Sequence, residues 1–168
     1  ARPLHKQFEH MTTERVEILN QRIRAIADSG AEFLVLETTS HALTQFRTFG
    51  IPIEIAVFTN ITHEHLDYHK TFANYRTAKM KLFRQAKFGV INADDPNAKY
   101  FTDLYSSSDI FTYGIDHGTY RATDIELFSS GVKYSCGDIK IKTQIPGQFN
   151  VYNSLAALAV GKKIGLTN

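Results

Sequence analysis

The runs Thr59-Asn60-Ile61-Thr62-His63-Glu64-His65-Leu66-Asp67-Tyr68-His69 and Tyr75-Arg76-Thr77-Ala78-Lys79 together hold three imidazoles, two carboxylates and a lysine. Imidazole and carboxylate are common metal ligands, and crowding them is costly unless a cation or water satisfies them. The chemistry this suggests is metal-assisted. His65 and Asp67 are the better-placed ligands, with Leu66 and Tyr68 between them as loop anchors, while His63 and His69 read as surface residues. Lys79 falls on the helical face of Tyr75, Leu82 and Phe83. Desolvation there lowers the proton affinity of an amine. Two readings stay open for it: a stem that covers apolar surface with its charge at the solvent, or a neutral amine that takes up CO2 as a carbamate and becomes an oxygen ligand suited to Mg2+. Glu37 is a second candidate, placed at the end of the apolar run Phe33-Leu34-Val35-Leu36 and followed by Thr38-Thr39-Ser40-His41. It is either a ligand at a strand end or an exposed residue ahead of a capped turn.

These groups need elements to hold them. Glu14 to Ser29 carries apolar residues at a period near 3.6, with Thr12 or Thr13 as the cap and Gly30 behind it, which predicts a helix. Phe33 to Leu36 and Ile55 to Thr59 predict buried parallel strands, and Thr71 to Ala86 predicts a helix between the second of these and a strand at Phe88 to Asn92. Asp94-Asp95-Pro96 is expected to cap a helix over 97–105, with Ile110 to Tyr113 as a further strand. Alternating segments at Tyr120 to Phe128, Val132 to Cys136 and Ile139 to Thr143 predict an antiparallel set, and Gly147 to Lys163 a closing helix. The expected architecture is α/β: a mostly parallel sheet flanked by helices, with a small antiparallel β appendage. One domain is expected over 1–168, its core formed by 1–115 and 144–168 and its antiparallel subregion by 116–143.

Composition narrows the function classes. A chain of 168 residues, 43% hydrophobic, is long enough for one real core, and a net charge of +2 with interleaved signs gives no basic tract for nucleic acid. No apolar run approaches the roughly 18 residues of a membrane span, and the single Cys136 cannot form an internal disulfide, so a reducing cytoplasm is the expected setting. The zincin pattern His-Glu-x-x-His fails because Asp67 stands where the second His is required. His63-x-His65-x-Asp67 approaches the metallo-β-lactamase-like hydrolase run, but Tyr68 occupies the next ligand position and His69 comes one residue late. No Gly-x-x-x-x-Gly-Lys-Ser/Thr phosphate loop occurs.

Taken together, Leu36-Glu37-Thr38-Thr39-Ser40-His41-Ala42-Leu43, the Val57 to His69 segment, Tyr75-x-x-Ala78-Lys79, Asn92-Ala93-Asp94-Asp95 and Gly147-x-Phe149-Asn150-x-x-Asn153 resemble the central domain of the Mur ligases in order and spacing. His-Leu-Asp-Tyr-His and Gln45-Phe46-Arg47 resemble the branch that adds a diamino acid, lysine or diaminopimelate, to UDP-N-acetylmuramoyl-L-alanyl-D-glutamate in peptidoglycan precursor synthesis. The resemblance implies ATP-dependent amide formation through an acyl phosphate, assisted by Mg2+. It implies metal-binding and catalytic roles for Glu37, His65 and Lys79, the last as a carbamate. It matches Thr12, Thr13, Thr39, Gln45 and Arg47 to substrate contacts and Asn150 and Asn153 to contacts near the adenine of ATP, helix capping being the plain alternative for Asn150. Thr38-Thr39-Ser40 departs from the usual Val-Ser-Ser but keeps the hydroxyls, and Glu14 replaces a proline. By the same resemblance, the phosphate loop and the family's N- and C-terminal domains are expected to be partners absent from this chain. The chain alone is then expected to turn over no ATP; phosphate release above a no-enzyme control, with Mg2+ and the dipeptide nucleotide, would refute that. A non-catalytic nucleotide- or partner-binding module of the same fold, and a folylpolyglutamate synthetase-like ligase, are the alternatives.

Overall fold

Strand periodicity of two and helical periodicity of 3.6 are realised as two sheets with helices packed on them. The computed structural model describes residues 12–166. In chain order the elements are α1 (Val16–Asp28), α2 (Ser40–Thr44), β1 (Ile53–Phe58), α3 (Leu66–His69), α4 (Phe72–Gln85), β2 (Ala86–Asn92), α5 (Ala98–Thr102), β3 (Ile110–Gly114), β4 (Tyr120–Arg121), β5 (Thr123–Phe128), β6 (Gly131–Cys136), β7 (Ile139–Thr143) and α6 (Phe149–Lys163). One sheet is parallel, in the order β1-β2-β3-β4, and the other is antiparallel, in the order β5-β6-β7. The fold is therefore the expected α/β class with an antiparallel appendage.

β2 is buried along Phe88 to Asn92, and its alternate side chains feed two cores. Ile91 joins Phe58, Ile61, Tyr75, Phe83 and Phe101 beneath α4 and α5. Val90 joins Tyr113, Val132, Tyr134, Val151 and Leu155 beneath α6 and β6. The Phe58 and Phe101 rings stack at 4.0 Å, with Phe83 edge-on to Phe101 at 4.8 Å. The antiparallel sheet is attached by its inner face and by the Tyr134 and Ser154 hydroxyls, 2.7 Å apart. Tyr113, fully buried, donates its hydroxyl to the Phe58 carbonyl at 3.0 Å and so ties β3 to the end of β1.

Four local expectations are corrected. Phe33 to Leu36 forms no strand: Leu34 and Leu36 line a groove against Leu19, Ile23 and Ile26 of α1, while Val35 is 96% exposed. A strand requires a hydrogen-bonded neighbour, and among the described residues this run pairs with none. Neither Thr12 nor Thr13 caps α1, whose N-cap is Arg15, with no side-chain capping hydrogen bond at that position. Tyr120 to Phe128 is two strands. The chain leaves the parallel sheet at buried Ala122 and joins the antiparallel one through an irregularity at Asp124, where φ is +53°. The helix expected over 97–105 is only α5, preceded by a turn in which Asp95 Oδ1 accepts from Asn97 N at 2.7 Å.

Candidate functional site

The carboxyl ends of β1 and β2 and the turn before α2 bring the chemistry-bearing residues together, as open α/β sheets do. Thr39 caps α2 by accepting from Ala42 N at 3.1 Å, which fixes the turn that follows Glu37. Beyond β1, His65 takes a left-handed conformation at φ +57°, tolerated by histidine better than by branched residues. Its carbonyl accepts from Tyr68 N and His69 N, starting the single turn of α3. α4 follows, capped by Thr71, and presents buried Tyr75 and half-buried Lys79 toward that turn.

His69, expected at the surface, is the buried anchor of the cluster at 7% exposure, and Leu66 and Tyr68, expected to anchor it, are exposed. The reason is polar: His69 Nε2 lies 2.9 Å from Ser40 Oγ, a bond that apolar periodicity cannot reveal. Burial lowers the pKa of His69; His41, His65 and Lys79 lower it too, against Asp67. The His41 ring centroid is 5.0 Å from His65, 4.1 Å from Tyr68 and 5.5 Å from His69, so His41 belongs to the same group. His63 stands apart, stacked on Phe72 at 4.4 Å.

Lys79 Nζ lies 5.8 Å from the centre of the Tyr75 ring, and the His65 and Tyr75 rings stand at 76° to one another with centroids 5.9 Å apart. Burial holds the Lys79 ammonium below the usual lysine range, and the carboxylates of Glu37 and Glu64 oppose that shift. Glu64 also acts on Tyr75, whose hydroxyl pKa is raised first by burial and then by this charge. Among the described residues, no three His, Cys, Asp or Glu side chains converge closely enough to hold a metal ion by themselves.

Of the residues matched to substrate contacts, Thr13, Thr39, Gln45 and Arg47 form one hydrogen-bonded group. Buried Thr13 donates Oγ1 to the Glu37 carbonyl at 3.0 Å and accepts there from Thr39 N at 3.2 Å. Arg47 Nη1 donates to the Thr13 carbonyl at 2.7 Å, and Arg47 Nε to Gln45 Oε1 at 3.0 Å. Thr12 lies exposed beside them. Thr13→Val is expected to leave the Thr39 N–H unpaired and cost about 1–3 kcal/mol. An unchanged urea midpoint would show that the bridge is dispensable. Asn150, buried in the first turn of α6, donates Nδ2 to the Pro146 carbonyl at 2.7 Å and accepts from exposed Asn153 at 3.3 Å; the N-cap of that helix is Gln148.

A second polar centre, at Asn92-Ala93-Asp94-Asp95, carries no local signature beyond its turn residues. Asp94 Oδ2 accepts from Ile115 N, Asp116 N and the Tyr152 hydroxyl at 2.6, 3.1 and 3.0 Å; Oδ1 accepts from His117 N and Nδ1 at 2.8 and 3.0 Å. Burial pushes this carboxyl up, but the donors outweigh it and hold it below the usual aspartate value.

Residues 5–161 match the Mur ligase middle domain. The UDP-N-acetylmuramoyl-L-alanyl-D-glutamate–2,6-diaminopimelate ligase of Geobacillus thermodenitrificans is 40% identical over 162 residues, spanning 88% of this chain and 33% of that protein. The UDP-N-acetylmuramyl-tripeptide synthetase of Deinococcus radiodurans is 35% identical over 162 residues, spanning 94% and 33%. A solved structure of a UDP-N-acetylmuramoyl-L-alanyl-D-glutamate–2,6-diaminopimelate ligase superposes with a TM-score of 0.80 at 30% identity, covering 92% of this chain and 34% of that one. The chain thus spans about a third of the length of these relatives. On the match over most of its length, and on the parallel sheet that carries it, the chain belongs to the Mur ligase family.

Proposed function

We propose that this domain serves an ATP-dependent ligase that joins a diamino acid to UDP-N-acetylmuramoyl-L-alanyl-D-glutamate in peptidoglycan precursor synthesis, in the cytoplasm. Phosphoryl transfer from ATP to the substrate carboxylate gives an acyl phosphate and ADP. The incoming amine then attacks the acyl carbon, loses a proton, and phosphate leaves the tetrahedral intermediate. Glu37, His65 and Lys79 are assigned as Mg2+ ligands, Thr12, Thr39, Gln45 and Arg47 as substrate contacts held in place by buried Thr13, and Asn150 and Asn153 as contacts to ATP. Mg2+, when bound, neutralises the negative charge that phosphates and carboxylate bring together.

The observation that carries this reading is the half-buried amine of Lys79, set between the influence of Glu37 and Glu64 and one tyrosine ring away from His65. A lysine of reduced proton affinity supplies the free amine that bonds to CO2, and loss of a proton leaves an anionic carbamate. Glu37, His65 and the carbamate would then offer one carboxylate, one imidazole and one carbamate oxygen, a donor set hard enough for Mg2+. His69, its charged form disfavoured by burial, adds no positive charge beside it. Native mass spectrometry in bicarbonate is expected to show the gain of one CO2, absent from Lys79→Met. Mn2+ is expected to broaden the His65 ring signals in NMR. An unmodified Lys79 together with an unbroadened His65 would overturn the assignment.

A further inference from the structure

We propose that the Asn92-Ala93-Asp94-Asp95 turn is a two-armed positioning bracket, in which Asn92 and Asp95 set the loop leading to His65 and Asp94, through Tyr152, sets the first turns of α6. The proposal rests on the functional reading above for the importance of the two elements, but the bracket itself stands on contacts. One arm acts on the backbone just past β1. Asn92 Nδ2 donates to the Thr59 carbonyl at 2.8 Å, and Asp95 Oδ2 accepts from Ile61 N at 3.0 Å. Adjacent to these, Tyr113 holds the Phe58 carbonyl, so three backbone groups between 58 and 61 are fixed by side chains from β2, its following turn and β3. Buried Ile61 is where the stretch Thr62-His63-Glu64-His65 departs.

The other arm is Asp94, whose Oδ2 accepts from the hydroxyl of Tyr152, a residue lying between Asn150 and Asn153 on α6. The same carboxylate gathers the backbone of 115–117, so α6 is referenced to the end of β3 and not only to the apolar core beneath it. Gly114 makes room for this: a Cβ there would lie 2.6 Å from Asp94 Oδ2 and would run into the His117 carbonyl. Burial and the contact with Asp94 raise the Tyr152 hydroxyl to about 12, so it stays protonated as a donor across the neutral range. Asn92 Oδ1 accepts from Asp94 N at 3.1 Å, which joins the two arms. A turn serving only to reverse the chain would not spend three side chains on two separate elements, each carrying a residue assigned to the site.

The test is amide hydrogen exchange on the full chain without ligand, combined with Mn2+ broadening of His65. Asp95→Ala is expected to raise exchange at 59–65 and leave 150–154 unchanged, and to weaken Mn2+ binding roughly 10–100-fold, as loss of a supporting contact behind a ligand does. Asp95→Asn keeps one acceptor oxygen for Ile61 N but turns a donor toward Asn97 N, and is expected to restore the protection at Ile61 only in part. Tyr152→Phe is expected to raise exchange at 115–117 and 150–154 and leave 59–65 and Mn2+ affinity unchanged. Exchange that rises together across both elements in either variant, or that rises in neither, overturns the bracket. Absence of Mn2+ broadening in the wild-type chain would instead refute the metal-site reading, and the exchange pattern would still decide the bracket.

Discussion

Asp94→Asn is expected to lower the unfolding free energy by about 2–3 kcal/mol at neutral pH, the scale of hydrogen bonds to a charged group that is largely buried. The wild-type carboxylate is one-tenth exposed and accepts from three backbone amides, an imidazole and a phenol. Asparagine keeps the shape but replaces one acceptor oxygen with a donor, turning it against N–H groups that already point inward. The pH dependence has a definite sign. Burial opposes ionisation, the donors favour it, and the net result is a carboxyl held below its ordinary value near 3.8. A depressed carboxyl contributes stability that is complete above the unfolded value and is lost as the pH falls through the folded one. The gap between wild type and Asp94→Asn should therefore be full at about pH 7 and narrow below about pH 4. Urea unfolding across this range measures it; a gap constant with pH would mean that the second acceptor oxygen, not the charge, is what Asp94 supplies.

The sequence made the α/β class legible because β2 and α4 are locally consistent: a continuous apolar run where both faces are covered, helical period where one is. Phe88 to Asn92 and Phe72 to Gln85 need no distant information. Phe33 to Leu36 has the same local quality and forms no strand, because strand formation depends on a neighbour that the run itself does not encode. The split at Ala122 was hidden for a related reason, since one alternating segment serves two sheets and only tertiary pairing decides where it crosses. In the site, desolvation of Lys79 was readable from its place beside Tyr75, Leu82 and Phe83, because i, i+3 and i+4 neighbours share a helix face. His69, His41 and Asp94 were misread or passed over because their partners, Ser40, His65 and Tyr152, lie 24 to 58 residues away in sequence. Polar contacts over that separation leave no periodic trace.

Lys79→Met is expected to raise stability by roughly 1 kcal/mol while weakening Mn2+ binding about 100-fold or more. Methionine fills nearly the volume of the lysine stem along Tyr75 without bringing a charge out of water. Glu37 and Glu64 lose a counter-charge, but both are exposed and hydrated, so little is lost there. The gain in stability should vanish with pH in a determined direction. A lysine whose folded proton affinity is depressed penalises the native state fully below its folded pKa, and the penalty disappears as the pH rises toward the ordinary value near 10.5. Wild type and variant should accordingly converge between neutral and alkaline pH, read by thermal unfolding without bicarbonate. Adding bicarbonate and Mg2+ should reverse their order, since a ligand bound only by the native wild type stabilises it by mass action. An ammonium retained at a cost in the free protein and repaid only on carbamate formation is the expected pattern for a residue kept for chemistry. A Lys79→Met protein that is less stable than wild type without bicarbonate, at neutral pH, would instead identify Lys79 as a packing residue whose stem covers Tyr75.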